Sequence, residues 1–178
     1  MSSPGSLVGP VPPGEQPEEY DRRRRRILWS LPTGLYVLGS RAAGQRNLMT
    51  LNWATQVATD PKLVCVSVEK PALTHRLVSE GRVFSLNVLA RSDRAVVRRF
   101  VKPLEDAGEA MQLAGFAVHE ATTGAPILDL AVSWLDCRVS HEIDCSSHTL
   151  FLGEVVDCGG GDGDEVLRME DTRMNYGG

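Results

Sequence analysis

From Ile27 onward the chain is a succession of short β-branched or aromatic runs broken by turn residues: Leu35 to Gly39, Leu63 to Val68, Val83 to Leu89, Phe116 to Glu120, Ala131 to Ser140, Thr149 to Asp157 and Val166 to Met169. Such runs favour strands, and their spacing leaves little room for the crossover helices that a parallel sheet requires. An antiparallel barrel or sandwich is therefore expected. In the run from Ala131, period two sends Leu135, Cys137 and Val139 to one face and Asp136, Arg138 and Ser140 to the other.

Two helical segments interrupt this pattern. Pro71 to Glu80 carries Leu73, Leu77 and Val78 at helical spacing and stops at Gly81. Ser92 is a candidate N-cap for a helix burying Val96, Val97, Phe100 and Val101, with Pro103 ending it and a further helical turn over Glu105 to Leu113. The GGGDGD run, Gly159 to Asp164, reads as a hairpin connection, because no helix follows it to cradle a phosphate.

The 178 residues, 42% of them apolar, suffice for one domain with a sizeable core. Met1 to about Asp21 is rich in proline, glycine and acids without apolar periodicity, so a disordered tail is expected; residues 1–26, with the basic run Arg22 to Arg26 as a solvated flank, stand outside a domain of residues 27–178. A net charge of −4 and a pI near 5.6 argue against nucleic acid as a partner. Cys65, Cys137, Cys145 and Cys158 form no CxxC pair and read as free thiols. No stretch approaches a membrane span and no signal peptide opens the chain, so a cytoplasmic protein is expected.

GxGxxG after a strand, GxxxxGK[ST], HExxH and the GxSxG elbow are all missing, and His75, His119, His141 and His148 lack metal-site spacing, so no metal is expected. The stretch with most chemistry is GQRNLMTLNWATQVATDPKLVCVSVEK, Gly44 to Lys70. It packs Asn47, Thr50, Asn52, Trp53, Thr55 and Gln56 into ten residues before Asp60-Pro61 and the apolar run LVCVSV. Polar side chains beside a core strand can fix a small polar ligand, or can equally be an ordinary Thr/Asn-rich strand and turn.

The order Thr50-x-Asn52-Trp53, Asp60-Pro61, Thr74, VFSLNVL, TGAPILDLAVSWLDCRV and HTLFLGEVV resembles the flavin-reductase-like family, over roughly Leu28 to Val156. The resemblance implies a mainly β fold, an antiparallel, Greek-key-like split β-barrel that binds FMN, with a few short peripheral helices. It also implies an NAD(P)H-dependent flavin reductase, with FMN or FAD as flavin, NADH or NADPH as hydride donor, and a homodimer. A monooxygenase component, a ferric complex or another flavoprotein all fit as acceptor.

By matching position, Thr50, Leu51, Asn52, Trp53 and Ala54 would lie along the ribityl–phosphate region, and Gln56, Val57 and Ala58 would meet the isoalloxazine edge. Lys70 and Thr74 would approach the phosphate. Trp53 reads equally as a core indole, Lys70 as an exposed lysine, and Asn87 as an amide partnered by backbone or by flavin. His148 matches the histidine that lies near the nicotinamide and flavin rings in the family; a strand-end histidine bonded to backbone is the alternative. Relatives commonly carry Gly-Asp before this histidine where this chain has Ser146-Ser147, which leaves open an electron-transfer protein reduced by a partner. Tyr176-Gly177-Gly178 resembles the end of related chains, where an aromatic residue approaches the cofactor.

Overall fold

A computed structural model describes residues 9–106, 108–109, 111–161, 165–172 and 174. They fall into two compact units, residues 1–32 with 173–178, and residues 33–172.

In the first unit, α1 (Pro17–Trp29) is a helix where disorder and a solvated flank were expected. Pro17 suits the first helical turn, and Glu18 and Glu19 favour the positive N-terminal end of the helix dipole. The arginine run is helical because its charges are answered locally: Arg24 and Arg25 reach Asp21 at 2.6 and 3.3 Å, and Arg23 pairs with Glu15. The first eight residues of the expected tail lie outside the described residues.

The second unit is built on a seven-stranded, wholly antiparallel sheet. Its strands are β1 (Tyr36–Ala42), β2 (Gln45–Leu51), β3 (Ala54–Thr59), β4 (Lys62–Glu69), β5 (Val83–Val88), β9 (Ser133–Cys145) and β10 (His148–Gly160), in the order β2-β1-β5-β9-β10-β4-β3. Edge strands β2 and β3 are consecutive in the chain, joined only by Asn52 and Trp53. Laid flat, seven strands would hold their edges roughly 29 Å apart, whereas Leu51 and Ala54 are separated by three Cα steps, at most about 11 Å. The sheet must curl until its two edges meet at this corner, and no ladder joins β2 to β3. This is the split barrel that the resemblance implied.

Leu38, Leu51, Val64, Val66, Phe84, Cys137 and Phe151 fill the interior of the curl. The Phe84 ring lies so close to β10 that a Cβ at Gly153 would come within 2.5 Å of it. The Cys137 thiol, buried here, is pushed up to about 12 by desolvation and then by Asp136. α2 (Leu73–Gly81) packs Leu77 and Val78 inward. Gly81 is its last helical residue rather than its left-handed cap, which is Arg82 at φ 57°; a Cβ at Gly81 would strike the Arg41 carbonyl at 1.9 Å.

The opposite face of the sheet is covered by β6 (Gln112–Leu113), β7 (Phe116–Glu120) and β8 (Pro126–Leu128), a small second sheet, and by 3-10 turns at Arg91–Asp93 and Val96–Phe100. These turns replace the helix expected after Ser92. The turn expected over Glu105 to Leu113 is a loop ending in β6, and the expected strand at Val166 to Met169 is reduced to bridges Ala90–Val166 and Gly34–Arg168. A buried polar row ties the cover on: Ser85 donates to the Pro126 carbonyl at 2.6 Å, the Leu128 N–H donates to Asn87 Oδ1 at 2.9 Å, and Asp136 accepts from the N–H and hydroxyl of Thr123. None of the described helices is long and apolar enough to cross a membrane, and all four cysteines are free thiols.

The loop before β6 is held by one buried ion pair. Arg46 reaches Asp106 at 2.9 Å, both side chains are under a tenth exposed, and Arg46 also donates to the carbonyls of Glu109 and Gln112. The Arg46 guanidinium holds the Asp106 carboxyl below the usual carboxylate range. Asp106→Asn should cost about 3 kcal/mol, because Arg46 keeps a buried charge without its counter-ion, lowering the thermal midpoint by roughly 6–12 °C. A folded pKa depressed below the unfolded value means that this contribution is full above pH ~4 and fades as pH falls through the lower, folded value. Thermal melts of both proteins down to pH 2.5 should therefore converge at the acid end.

Candidate functional site

The corner where the sheet edges meet is held by backbone alone: the Ala54 N–H donates to the Asn52 carbonyl at 3.2 Å and the Ser67 N–H to the Trp53 carbonyl at 3.0 Å. Asn52 is 7% exposed, and its amide makes no hydrogen bond to any described residue. Trp53 is 39% exposed, and its indole rests against the His148 imidazole, ring centroids 5.1 Å apart and tilted by 52°.

From this corner runs β3, the last strand of the sheet, whose N–H and C=O groups pointing away from β4 have no ladder partner. A bulge between Gln56 and Ala58 turns Val57 out of register and leaves it 49% exposed. Gln56 is exposed and donates to the Ala58 carbonyl at 3.1 Å, and its Oε1 has no hydrogen bond to any described residue.

His148 opens β10 and is oriented by the turn before it. The Ser147 hydroxyl lies 2.9 Å from His148 Nδ1, the Ser146 N–H donates to Asp144 at 2.8 Å, and Lys70 grips Asp144 at 2.6 Å while its backbone N–H donates to the Ser147 carbonyl at 3.0 Å. That hydrogen bond from Lys70 holds the Asp144 carboxyl below the usual range. Ser146 takes the left-handed conformation at φ 63°, the position where glycine is at ease and where relatives commonly carry it.

The structure thus places Asn52, Trp53 and His148 at one corner, with Lys70 bracing the turn beside them, and carries Gln56, Val57 and Ala58 away from it along β3, Ala58 pairing with Leu63 of β4 where His148 pairs with Glu69. Five expected site residues point elsewhere. Thr50 is 2% exposed and donates its hydroxyl to the Val97 carbonyl, on the face away from the core, because period two in β2 sends it under the second layer. Leu51 and Ala54 belong to the core, and Ala54 flanks the corner by backbone only. Thr74 is buried and accepts from the Asn47 amide at 2.8 Å. Asn87 is fully buried, donating to the Val37 carbonyl at 2.9 Å and accepting from Leu128, so backbone is its partner. Tyr176-Gly177-Gly178 lies outside the described residues.

Two side chains near the site went unmarked in the sequence. His75, in the first turn of α2, lies 2.8 Å from the Thr149 hydroxyl and packs edge-on against Phe151; burial, with Lys70 adding, lowers its pKa. Cys145 stands directly across the hairpin from His148. Only the register of β9 and β10 reveals that pairing, whereas Thr74-His75 at a helix start was a readable signal. Among the described residues no cluster of His, Cys, Asp or Glu could hold a metal ion.

Comparison with known proteins agrees with this architecture. The family model for the flavin reductase like domain matches residues 28–177. The chain is 31% identical over 148 residues to the NADH-dependent FAD reductase of Streptomyces globisporus, covering 82% of this chain and 80% of that one. It is 30% identical over 135 residues to the stachydrine N-demethylase reductase subunit Stc3 of Rhizobium meliloti, covering 75% and 56%. The solved NADH:FAD oxidoreductase of Streptomyces globisporus C-1027 superposes with a TM-score of 0.73 at 27% identity, covering 88% of this chain and 93% of that one. The chain spans just over half of the stachydrine subunit and only 22–24% of the diflavin flavoproteins of Nostoc and Synechocystis that it also matches. With the family model spanning nearly the whole of the barrel unit, the chain belongs to the flavin-reductase-like family.

Proposed function

We propose that the chain reduces FMN or FAD with NADH or NADPH at the corner formed by Asn52, Trp53, the free edge of β3 and His148, and passes reduced flavin or electrons to an acceptor such as a monooxygenase component. The observation that carries this reading is the Asn52 amide, on a residue only 7% exposed and without a hydrogen-bond partner among the described residues, beside a strand edge that has no ladder partner. An amide that the protein leaves without a partner can exchange its water for the complementary polar groups of a ligand, a contact worth about 0.5–1.5 kcal/mol. A flavin fits this donor set, because its ring edge alternates acceptors with an N–H and its ribityl chain is a row of hydroxyls.

When bound, the flavin supplies the hydride-accepting ring; the protein supplies binding, orientation and exclusion of water. Asn52 and Gln56 offer side-chain amides, and β3 offers backbone groups that need no reorganisation. His148, fixed by Ser147, orients the reacting rings, and Lys70 acts through Asp144 to keep that turn in place. No general acid or base is needed for a direct hydride transfer between closely held rings.

A second copy of the chain would complete the cleft. Directly opposed residues share a face, so Leu63, Cys65, Leu150, Leu152 and Ile143 lie on the outer side of β4, β10 and β9 together with Ser67, His141 and Glu154, a mixed face of apolar centre with Ile143 51% exposed. Covering such a patch suits an isologous dimer.

The second reading, a flavin-binding electron carrier reduced by a partner protein, is favoured by Ser146 and Ser147 standing where relatives carry Gly-Asp. Anaerobic stopped-flow mixing of the flavin-loaded protein with NADH and with NADPH separates the two. Bleaching of the flavin absorbance on a catalytic timescale supports the reductase, and an unbleached flavin supports the carrier.

Asn52 and Thr50 should behave as opposites. Asn52→Ala should weaken flavin affinity about tenfold with little change in thermal midpoint, and Thr50→Ala should cost about 1 kcal/mol of stability while leaving flavin affinity intact. Fluorescence titration of flavin alongside thermal melts checks both.

His148→Ala should slow single-turnover flavin reduction while leaving flavin affinity nearly unchanged, since only the reacting geometry is lost. A variant reducing its bound flavin at the parental rate would remove His148 from the chemistry.

A further inference from the structure

Two neighbouring side chains in the β2–β3 link are unexplained by the fold, and they differ in kind. Asn52 is 7% exposed and its amide has no partner among the described residues, whereas Trp53 leaves 39% of a large apolar residue in solvent and rests its ring on His148. A link needed only to join two strands would gain nothing from an exposed indole, because apolar area stabilises when it leaves water. Nor is the indole loosely placed. Its backbone is fixed by Ser67, and the imidazole beneath it is held by Ser147 on a turn that Lys70 and Asp144 brace.

The polar groups of the site sort to a ligand ring with a hydrogen-bonding edge, and the β3 edge with Asn52 and Gln56 provides for that. The indole provides a broad π-face and a single N–H donor. The part of a nucleotide for which a bare π-face suffices is a purine base, which stacks on aromatic side chains with little demand for hydrogen bonds. The indole bicycle also matches a purine in area, and 39% of the residue is open to solvent.

We propose that Trp53, backed by His148, is the stacking platform for the adenine of an adenine nucleotide, brought either by NAD(P)H or by FAD. The choice of these two nucleotides rests on the reductase reading above; the platform itself rests on Asn52, Trp53 and His148. Trp53 is then the residue that sets preference for adenine-bearing ligands over their mononucleotide counterparts.

Calorimetric titration of the full chain with AMP and with ribose 5-phosphate tests the platform without any turnover. AMP should bind at least tenfold tighter than ribose 5-phosphate, Trp53→Ala should bring AMP down to the ribose 5-phosphate level, and Trp53→Phe should keep most of the difference, all three proteins having the same thermal midpoint. Two further comparisons identify the source of the base: affinity for FAD against FMN, and KM for NADH against reduced nicotinamide mononucleotide. The pair whose difference collapses in Trp53→Ala names the nucleotide. Equal binding of AMP and ribose 5-phosphate by the parental protein, AMP affinity that survives Trp53→Ala, or an equal loss of AMP and FMN affinity would each overturn the proposal. Trp53-dependent AMP binding in a protein whose flavin is never bleached by NAD(P)H would uphold the platform and remove the reductase reading.

Discussion

The rest of the structure depends on a covalent constraint: the two edge strands of a seven-stranded sheet are consecutive in the chain, with only Asn52 and Trp53 between them. Curling follows from chain length before any side chain is considered, and side chains then decide whether the curl is stable. Inside it, Phe84 against Gly153 and the Val64, Val66, Phe151 cluster supply the apolar filling. Outside it, Ser85, Asn87 and Asp136 would be costly buried polar groups, and each is satisfied by backbone of the covering layer. The same junction that forces the curl exposes an unpaired strand edge at one corner, so the scaffold and the proposed binding edge have a single origin.

This division explains what was legible in the sequence. Strands with strong apolar content, at 63–68, 83–88 and 149–157, were readable because their burial is their composition. β2 and β3 were not, since QRNLMTL and ATQVAT owe their conformation to neighbours rather than to propensity. Thr50 and Asn52 lie two residues apart and look alike as candidates, yet one is committed to the Val97 carbonyl under the second layer and the other is unpaired at the corner. Period two gave them the same face; the end of the strand at Leu51 separates them. Asn87 was correctly suspected of being buried, and only the register of β8 against β5 supplies its partner. The helix at Pro17–Trp29 is hidden in the sequence by the bare charge of its arginine run, and Asp21 lies at the spacing that answers two of those arginines.

Stability and the proposed site occupy different residues. The Arg46–Asp106 pair and the Asn47–Thr74 bond hold the loop and α2 from the β2 side and contribute nothing to the corner. The corner residues, conversely, are those that the fold leaves unsatisfied or exposed. Lys70 bridges the two roles: it was expected at a phosphate, and its pair with Asp144 makes it a brace for the turn that carries His148.

The central claim is that flavin lies against the β2–β3 link and the free edge of β3. Amide hydrogen exchange of the protein with and without saturating FMN tests it most directly. Slowed exchange concentrated in residues 52–59 and around His148, with the Thr50–Val97 contact and β6 to β8 unaffected, is the predicted result. Protection centred on the covering layer, with residues 52–59 exchanging at the same rate in both samples, would contradict it.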